Sequence, residues 1–306
     1  MENKVADLAT AIRENVRRGD ALFLSGMQHG EPTAAIFEIL RQGIADLQLI
    51  PQLPTAGELL LSEGRVGRLF TAFTSSLDAR RGPLAQRRLN RAPAELVEFS
   101  HGALHLALLA AQQGIPFSVT RALIGSDYLA VNKAYFSPIE SPFDESPAVA
   151  VRALQPDVAI IHVQEADVLG NARKRGSLGM DVAGTHAAKR LVVTCERLID
   201  TAEFQREPNL TTIPGFLVDA VVEAPLGAWP EHLNGEYADD LRHWFSVMST
   251  DDGYDHFLDE LVYGSGSHGE FVAKLIDWRG EEYIGRLRDA AAHPNAELLT
   301  RLGGRG

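Results

Sequence analysis

Apolar and polar positions change period repeatedly along this chain, and the changes predict helices and strands in alternation. Val5, Leu8, Ile12 and Val16 recur at spacings of three and four, which places them on one face of a helix that Gly19 ends. The next apolar run, ALFLSG at 21–26, has the length of a strand. A second helix is predicted over 32–42, because Pro32 stands at its start and Gly43 just past its end.

The alternation continues through most of the chain. Further strand-length runs are DLQLI (46–50), IPFSVT (115–120), DVAIIHV (157–163), LVVTCE (191–196) and FLVDAVVEAP (216–225). Strands that alternate with helices build parallel sheets covered on both faces. We therefore predict an α/β fold with an open, mostly parallel sheet and helices on both faces. Ligands bind such sheets beyond the carboxyl ends of the strands, and the bend SGMQHG (25–30) lies at one of those ends.

Two regions depart from this pattern. The proline-rich run YFSPIESPFDESP (135–147) predicts irregular backbone, which we interpret as an ordered excursion or lid between two halves of the sheet. After Pro230 the sequence becomes acidic, aromatic and helical. We therefore predict an α/β domain over 1–230 and a helical C-terminal appendage over 231–306.

Charge narrows the classes of partner. The 306 residues contain 41 acidic and 29 basic side chains, a net charge of −12, so the surface repels nucleic acid and anionic lipid. A local basic run at 80–91 is still suited to an anionic ligand. A single cysteine excludes an internal disulfide, and without a signal-like or membrane-spanning segment we expect a cytoplasmic protein.

Three weaker motifs have simpler explanations. GSGSHG (264–269) follows helical rather than strand text, which favours a loop between helices over a dinucleotide site. His101 and His105 have a metal-like spacing, but no clear third ligand accompanies them, so we predict no metal site. Cys195 lies inside an apolar run, where a buried thiol usually serves packing. The bend at 25–30 differs, because glycine-framed turns let backbone N–H groups approach a ligand oxygen.

The region around this bend resembles the glycine-rich signature of the family I CoA-transferases, as found in their A-type (alpha) chains. The matching positions are Gly19, the triplet at 22–24, Gly26, Gly30 and Pro32. The sequence departs from that signature in three places: Ser25 and Met27 stand where the family usually has Gly and Phe, and Arg18 where it usually has an acidic or amide residue.

The resemblance covers roughly residues 5–230 and is to the A-type chains of the glutaconate CoA-transferase group. It is carried by the segments 98–129, 153–172, 187–200 and 211–230. It implies the open α/β fold that these transferases share with some sugar-phosphate isomerases. It also implies a hetero-oligomer with a separate B-type subunit, of the form α2β2, with coenzyme A as a substrate and no cofactor.

The resemblance further implies thioester exchange through a glutamate, which sits in a Ser-Glu-Asn-Gly-like motif of the B-type subunit. Neither SEN nor ENG occurs in this chain, and the nearest look-alike, FSHG at 99–102, carries His101. We therefore expect the B-type subunit to supply the nucleophile, with His101 as a candidate base or hydrogen-bond donor. The substrate-binding residues that we predict are Gly26, Met27, Gln28, His29, Gly30, Ser100, His101 and Arg121. Arg121 is the candidate for a distal carboxylate, which a guanidinium fits in a partly dry pocket.

Other functions remain open at this point. Relatives on the same scaffold include thioester hydrolases and decarboxylases of CoA esters, and the sequence does not separate those outcomes. A homomeric sugar-phosphate isomerase-like enzyme is a further alternative, although the sequence has no evident phosphate motif. Another alternative is a chain whose main role is to bind and shape a catalytic partner.

Overall fold

The computed structural model describes residues 2–73 and 94–292, and these ranges contain a main sheet of seven parallel strands with one short antiparallel strand at its side. The parallel strands are β1 (Ala21–Met27), β2 (Leu47–Leu53), β3 (Val66–Thr71), β4 (Glu95–Glu98), β8 (Val158–Ala166), β10 (Leu191–Leu198) and β11 (Ala220–Glu223), and the antiparallel strand is β9 (Ala172–Arg173). Their order is β11-β10-β8-β1-β2-β3-β4, with β9 paired to β8. The predicted open, mostly parallel sheet is confirmed. The basic run at 80–91 lies outside the described residues.

The order of the strands fixes where a ligand can bind. From β1 the chain builds the sheet outward through β2, β3 and β4, and then returns to build the other half outward from β8. β1 therefore pairs in parallel with β2 on one side and with β8 on the other. A crevice forms at such a reversal, outside the carboxyl ends of the strands. The bend at 25–30 ends β1 and lies at this crevice.

A second, antiparallel sheet is formed by β5 (Phe117–Thr120), β6 (Phe136–Glu140) and β7 (Pro147–Arg152), with β7 in the middle. The prediction of irregular backbone over 135–147 was wrong for β6. Pro138 is accommodated because β6 is an edge strand, where a missing N–H breaks no ladder.

Helices cover both faces of the main sheet, as predicted. Along β1, Leu22 and Leu24 belong to one buried cluster, and Phe23 belongs to another on the opposite face. The α-helices are α1 (Leu8–Asn15), α2 (Thr33–Arg41), α3 (Glu58–Ser62), α4 (His101–Gln112), α5 (Tyr128–Val131), α6 (Asp181–Ala187), α7 (Thr201–Arg206), α8 (Leu241–Met248), α9 (Asp251–His256), α10 (His268–Arg279) and α11 (Tyr283–Ala292). Short 3-10 turns cover Pro208–Leu210 and Gly215–Leu217.

The chain after Pro230 is helical, as predicted, and includes a π-helical segment, Phe257–Tyr263. It packs on α2: the rings of Phe37 and Phe271 lie 4.9 Å apart, and Phe37 meets Phe257 at 5.8 Å. The motif GSGSHG joins the π-helical segment to α10, whose N-cap is Ser267, so it is the loop between helices that the sequence predicts. Across the described ranges, no helix is both long enough and apolar enough to span a bilayer.

Candidate active site

The bend after β1 is held in a left-handed backbone conformation at three positions. Gly26, Gln28 and Gly30 have φ of 98°, 55° and 71°. Met27 and Gln28 are exposed at the tip, whereas His29 and Gly30 turn back into the protein. The part of the bend that can meet a ligand is therefore its Met27–Gln28 tip.

Both framing glycines donate their amides inward. The N–H of Gly26 donates to Oδ1 of Asp181 at 3.0 Å, and the N–H of Gly30 donates to the carbonyl of His232 at 3.1 Å. Internal acceptors therefore occupy these two amides. That other backbone N–H groups of the bend face a substrate oxygen stays a prediction. The glycines shape the bend, and its exposed residues are Met27 and Gln28.

A buried ion pair supports the bend from below. Nζ of Lys174, just after β9, lies 2.6 Å from Oδ2 of Asp181, the first residue of α6. The side-chain amide of Gln52, near the end of β2, also donates to Asp181. Asp181 thus ties β1, β2 and the Lys174 segment together at the crevice.

His29 fills the inner side of the bend. Its ring stacks on His232 at 4.7 Å between centroids, and its Nε2 lies 2.9 Å from the carbonyl of Arg175. Burial lowers the pKa of His29, and the nearby Lys174 lowers it further, against the effect of the Arg175 carbonyl. A neutral His29 held by a backbone carbonyl serves to fix the loop.

The start of α4 lies beside the same network. Ser100 is the N-cap of α4, and its Oγ accepts from the N–H of Ala103 at 3.1 Å. Nε2 of His101, the first residue of this helix, lies 3.3 Å from the carbonyl of Gln52. Since Gln52 also contacts Asp181, the structure brings His101 and the bend to one crevice, although 74 positions separate His101 from Met27 in the sequence.

Two predicted residues lie at the side of this network. Ser100 borders a cavity of about 260 Å³ between α4 and the segment that follows β5. Arg121 lies in that segment and is exposed, at the end of a strand of the small sheet. Its assignment to a distal carboxylate remains a prediction.

Sequence reasoning missed two buried carboxyl groups, those of Glu31 and Glu231, which are 1% and 0% exposed. Glu31 accepts hydrogen bonds from the backbone of the loop between β2 and α3, and Glu231 accepts from the N–H of Glu31 at 2.9 Å. Glu31 gave one signal, a charged residue between Gly30 and Pro32 at a strand end. Glu231 gave none, because its partners lie far away in the sequence.

Comparison with known proteins identifies the scaffold. The family model for coenzyme A transferases matches residues 5–224. The A chain of the 3-oxoadipate CoA-transferase of Pseudomonas knackmussii is 33% identical, over 88% of this chain and 97% of its own length. The A chain of the glutaconate CoA-transferase of Acidaminococcus fermentans is 34% identical, over 89% and 92%.

Solved structures agree with the sequence comparison. The crystal structure of the Acidaminococcus glutaconate CoA-transferase superposes with a TM-score of 0.78 over 89% of this chain and 92% of that one. A variant of the decarboxylase AibA/AibB superposes with a TM-score of 0.71 at 28% identity, over 90% of this chain and 100% of that one. The chain belongs to the coenzyme A transferase family and is of its A type.

Proposed function

We propose that this chain is the A half of a cytoplasmic, heteromeric CoA-transferase, which moves CoA from an acyl-CoA to a carboxylic acid with a glutamate nucleophile supplied by a B-type partner. One observation supports this division of labour. The carboxyl groups that accept hydrogen bonds from the bend or its neighbouring loops, those of Asp181, Glu31 and Glu231, are buried and already engaged by internal donors. A carboxylate in that condition is a poor nucleophile towards a bound thioester.

The proposed reaction proceeds through two kinds of covalent intermediate, an anhydride and a thioester. The partner's carboxylate attacks the acyl carbonyl carbon, the C–S bond breaks, and an acyl-glutamyl anhydride forms with CoA thiolate released. The thiolate then attacks the glutamyl carbonyl, giving an enzyme-CoA thioester and the free acid. A second carboxylate takes the CoA by the same two steps in reverse, which regenerates the glutamate.

This chain contributes groups at the rim of the crevice. Each attack places negative charge on a former carbonyl oxygen, and fixed donors beside that oxygen lower the barrier. His101 stands at the N-terminal end of the 12-residue helix α4, where the helix dipole also favours negative charge. The exposed tip, Met27 and Gln28, completes the wall on the β1 side. We assign His101 to the developing oxyanion or to the acyl group next to it.

The test is to produce the chain with and without a B-type chain and to assay CoA transfer to a panel of carboxylic acids. We expect activity only from the pair, and a borohydride- or hydroxylamine-sensitive label on a glutamate of the partner. Size determination should give two copies of each chain. Turnover by the single chain, with the label on one of its own glutamates, would replace this proposal with a self-contained enzyme.

A decarboxylase function is the second candidate, favoured by the similarity to the decarboxylase AibA/AibB, and thioester hydrolysis is the alternative that the sequence left open beside it. In that case the same pair would release CO2 from a CoA ester, or free CoA without an acceptor acid. Assays that follow CO2 and free thiol in the absence of added acid separate these outcomes from transfer. The family match gives no support to the isomerase alternative.

A further inference from the structure

The carboxyl group of Glu31 lies in a ring of backbone donors. Its Oε2 accepts from the N–H groups of Thr55 at 3.2 Å and Ala56 at 2.7 Å, and its Oε1 accepts from the N–H of Gly57 at 3.2 Å. These donors belong to the loop between β2 and α3, which we call the β2 loop (54–57). Glu31 therefore attaches the bend at the end of β1 to the neighbouring strand-end loop.

Glu231 attaches both loops to the chain that follows the α/β core. Its Oε2 accepts from the N–H of Glu31 at 2.9 Å, and its Oε1 is 2.7 Å from the hydroxyl of Thr55. The two carboxyl groups thus form one buried unit, the acidic clasp (Glu31 and Glu231), beneath the crevice.

The acidic clasp places two ionisable carboxyl groups in a buried setting. Burial raises the pKa of both carboxyl groups, that of Glu231 to about 7, and because the two groups are neighbours a negative charge on one raises the pKa of the other. Lys174, the cation close to Glu231, is already paired with Asp181 at 2.6 Å. His232, next in the chain, is turned towards His29. A second uncompensated buried charge is costly, so the clasp favours holding one proton.

The contacts decide which carboxyl group holds that proton. Glu31 faces three backbone N–H groups, which only donate, so its oxygens are needed as acceptors. Glu231 faces one N–H and the hydroxyl of Thr55, and a hydroxyl both donates and accepts. A protonated Glu231 can therefore donate to Thr55 and still accept from Glu31.

We propose that the acidic clasp, with Glu31 ionised and Glu231 protonated, is a positioning unit that fixes the bend after β1 against the β2 loop. It acts on the reaction through the Met27–Gln28 tip and through Gln52, whose carbonyl contacts His101. Its effect on turnover rests on the proposed function. Its effect on folding does not.

The decisive comparison is between Glu31→Gln and Glu231→Gln, each produced with the B-type partner. The amide in Glu231→Gln accepts from Glu31 and donates to Thr55, so we expect kcat within about threefold of wild type. Glu31→Gln turns an NH2 towards a backbone N–H, which loosens the β2 loop. We expect kcat to fall about 10- to 100-fold with little change in KM, since misplacing reacting groups by about 1 Å has such an effect.

Glu38→Gln is the matched control, because Glu38 is a buried carboxylate on α2 that is paired with Arg41 instead. It should shift the melting temperature and leave kcat unchanged. A second readout is the pH profile: wild-type kcat should fall as Glu231 ionises above about pH 7, whereas Glu231→Gln should lose this fall.

Equal losses of kcat in Glu31→Gln and Glu231→Gln, or an alkaline fall that persists in Glu231→Gln, would overturn the proposal. A wild-type pair that transfers no CoA rejects the proposed function instead. In that case thermal unfolding still tests the proposal for the acidic clasp. Because the folded pKa of Glu231 is raised to about 7, its stabilisation is present in acid and lost as pH rises through that value. The melting temperature should fall in wild type between pH 5 and 8 and not in Glu231→Gln, and the same fall in both would reject the clasp.

Discussion

Gly26 and Gly19 both have positive φ, 98° and 86°, but their surroundings differ. A Cβ on Gly26 would lie 2.7 Å from the backbone N and Cα of Glu31, whereas a Cβ on Gly19 would have nothing within 4 Å. Gly19→Ala should cost only the left-handed strain, about 1–2 kcal/mol. Gly26→Ala should cost about 1–3 kcal/mol more, as overpacking does.

Unfolding in urea of the two variants measures this difference. Equal losses would mean that Glu31 moves aside freely and that the bend is softer than its contacts indicate. From the sequence alone, a side chain at Gly26 should block the ligand and spare the fold. In the structure, position 26 requires glycine for a different reason: a side chain there would collide with the backbone of Glu31.

Among the predicted site residues, His101 is the one whose position best suits a base or a hydrogen-bond donor in the reaction. Replacing it by Ala removes the contact with the Gln52 carbonyl and an imidazole at the crevice. We expect kcat of the assembled enzyme to fall between a few-fold and about a thousandfold, the range of lost positioning and lost acid–base help. His105→Ala, one turn further along α4 and also partly buried, is the control. Similar rates for the two variants from pH 6 to 9 would reduce His101 to a structural residue.

At the scale of elements, a buried hydrogen-bond network joins β8, β10 and the chain after β11. His162 of β8 lies 2.8 Å from both Oγ1 of Thr194 and Oε1 of Glu196 on β10. Tyr237 donates to the same Oε1 at 2.9 Å, and the N–H of Leu226 donates to Oε2 at 2.9 Å. Glu196 is therefore the acceptor on which three segments converge.

This network predicts a dependence of stability on pH. Burial by itself would raise the pKa of Glu196, but the hydrogen bond and charge of His162, with the Leu226 and Tyr237 donors, leave it lowered. A lowered folded pKa gives stabilisation that is present above the unfolded pKa of about 4.3 and lost as pH falls through the folded value. We expect His162→Ala to destabilise the chain by about 3–5 kcal/mol at pH 7, as removing one partner of a buried pair does.

Urea unfolding at pH 7 and at several pH values from about 5 down to about 3 checks both statements. Glu196→Gln should weaken the acid-side loss that wild type shows. Glu203→Gln, at an exposed pair with Arg206, should change stability by less than about 1 kcal/mol at every pH. An acid-side loss of the same size in Glu196→Gln and wild type would assign it to other carboxylates.

Most strands of the main sheet could be predicted, because a strand buried on both faces is a continuous apolar run bounded by turn residues. Val158–Ala166 and Leu191–Leu198 are of this kind. Phe136–Glu140 could not be predicted, because its regularity depends on an edge position that only the sheet order reveals. A continuous apolar run thus identifies a strand better than a proline-rich segment does, even where both form strands.

At the scale of the whole molecule, the same limit applies to the site. The bend and the start of α4 could be predicted because each follows a recognisable strand, and the carboxyl ends of parallel strands share one edge. The acidic clasp could not, since Glu31 and Glu231 are 200 positions apart and their contacts exist only after the C-terminal chain has packed. Lys174 and Asp181, buried as a pair, likewise gave no local signal.

The last prediction concerns the division at residue 230, which remains a prediction of the sequence. Trp229 meets Trp244 at 5.8 Å between ring centroids, and Phe271 meets Phe37 of α2 at 4.9 Å, so the C-terminal helices share a buried cluster with the α/β core. Ending the chain at Pro230 would expose that cluster to water and remove Glu231 from beneath the bend. Exposing each buried aromatic or large aliphatic side chain lowers the free energy of unfolding by about 1.5–3 kcal/mol. A few such losses together exceed the stability of a typical domain.

We therefore expect the fragment 1–230 to be insoluble or to lack a cooperative thermal transition, and to form no active assembly with a B-type chain. A chain ending at Ala292 keeps every contact described above and is the matched truncation. Calorimetry and size-exclusion chromatography of the two truncations decide the matter. A soluble 1–230 fragment with a sharp transition near that of the full chain would show two independent domains. An active complex of that fragment would also show that Glu231 is not needed at the crevice. In that case the chain after Pro230 would contribute neither to the core nor to the position of the bend.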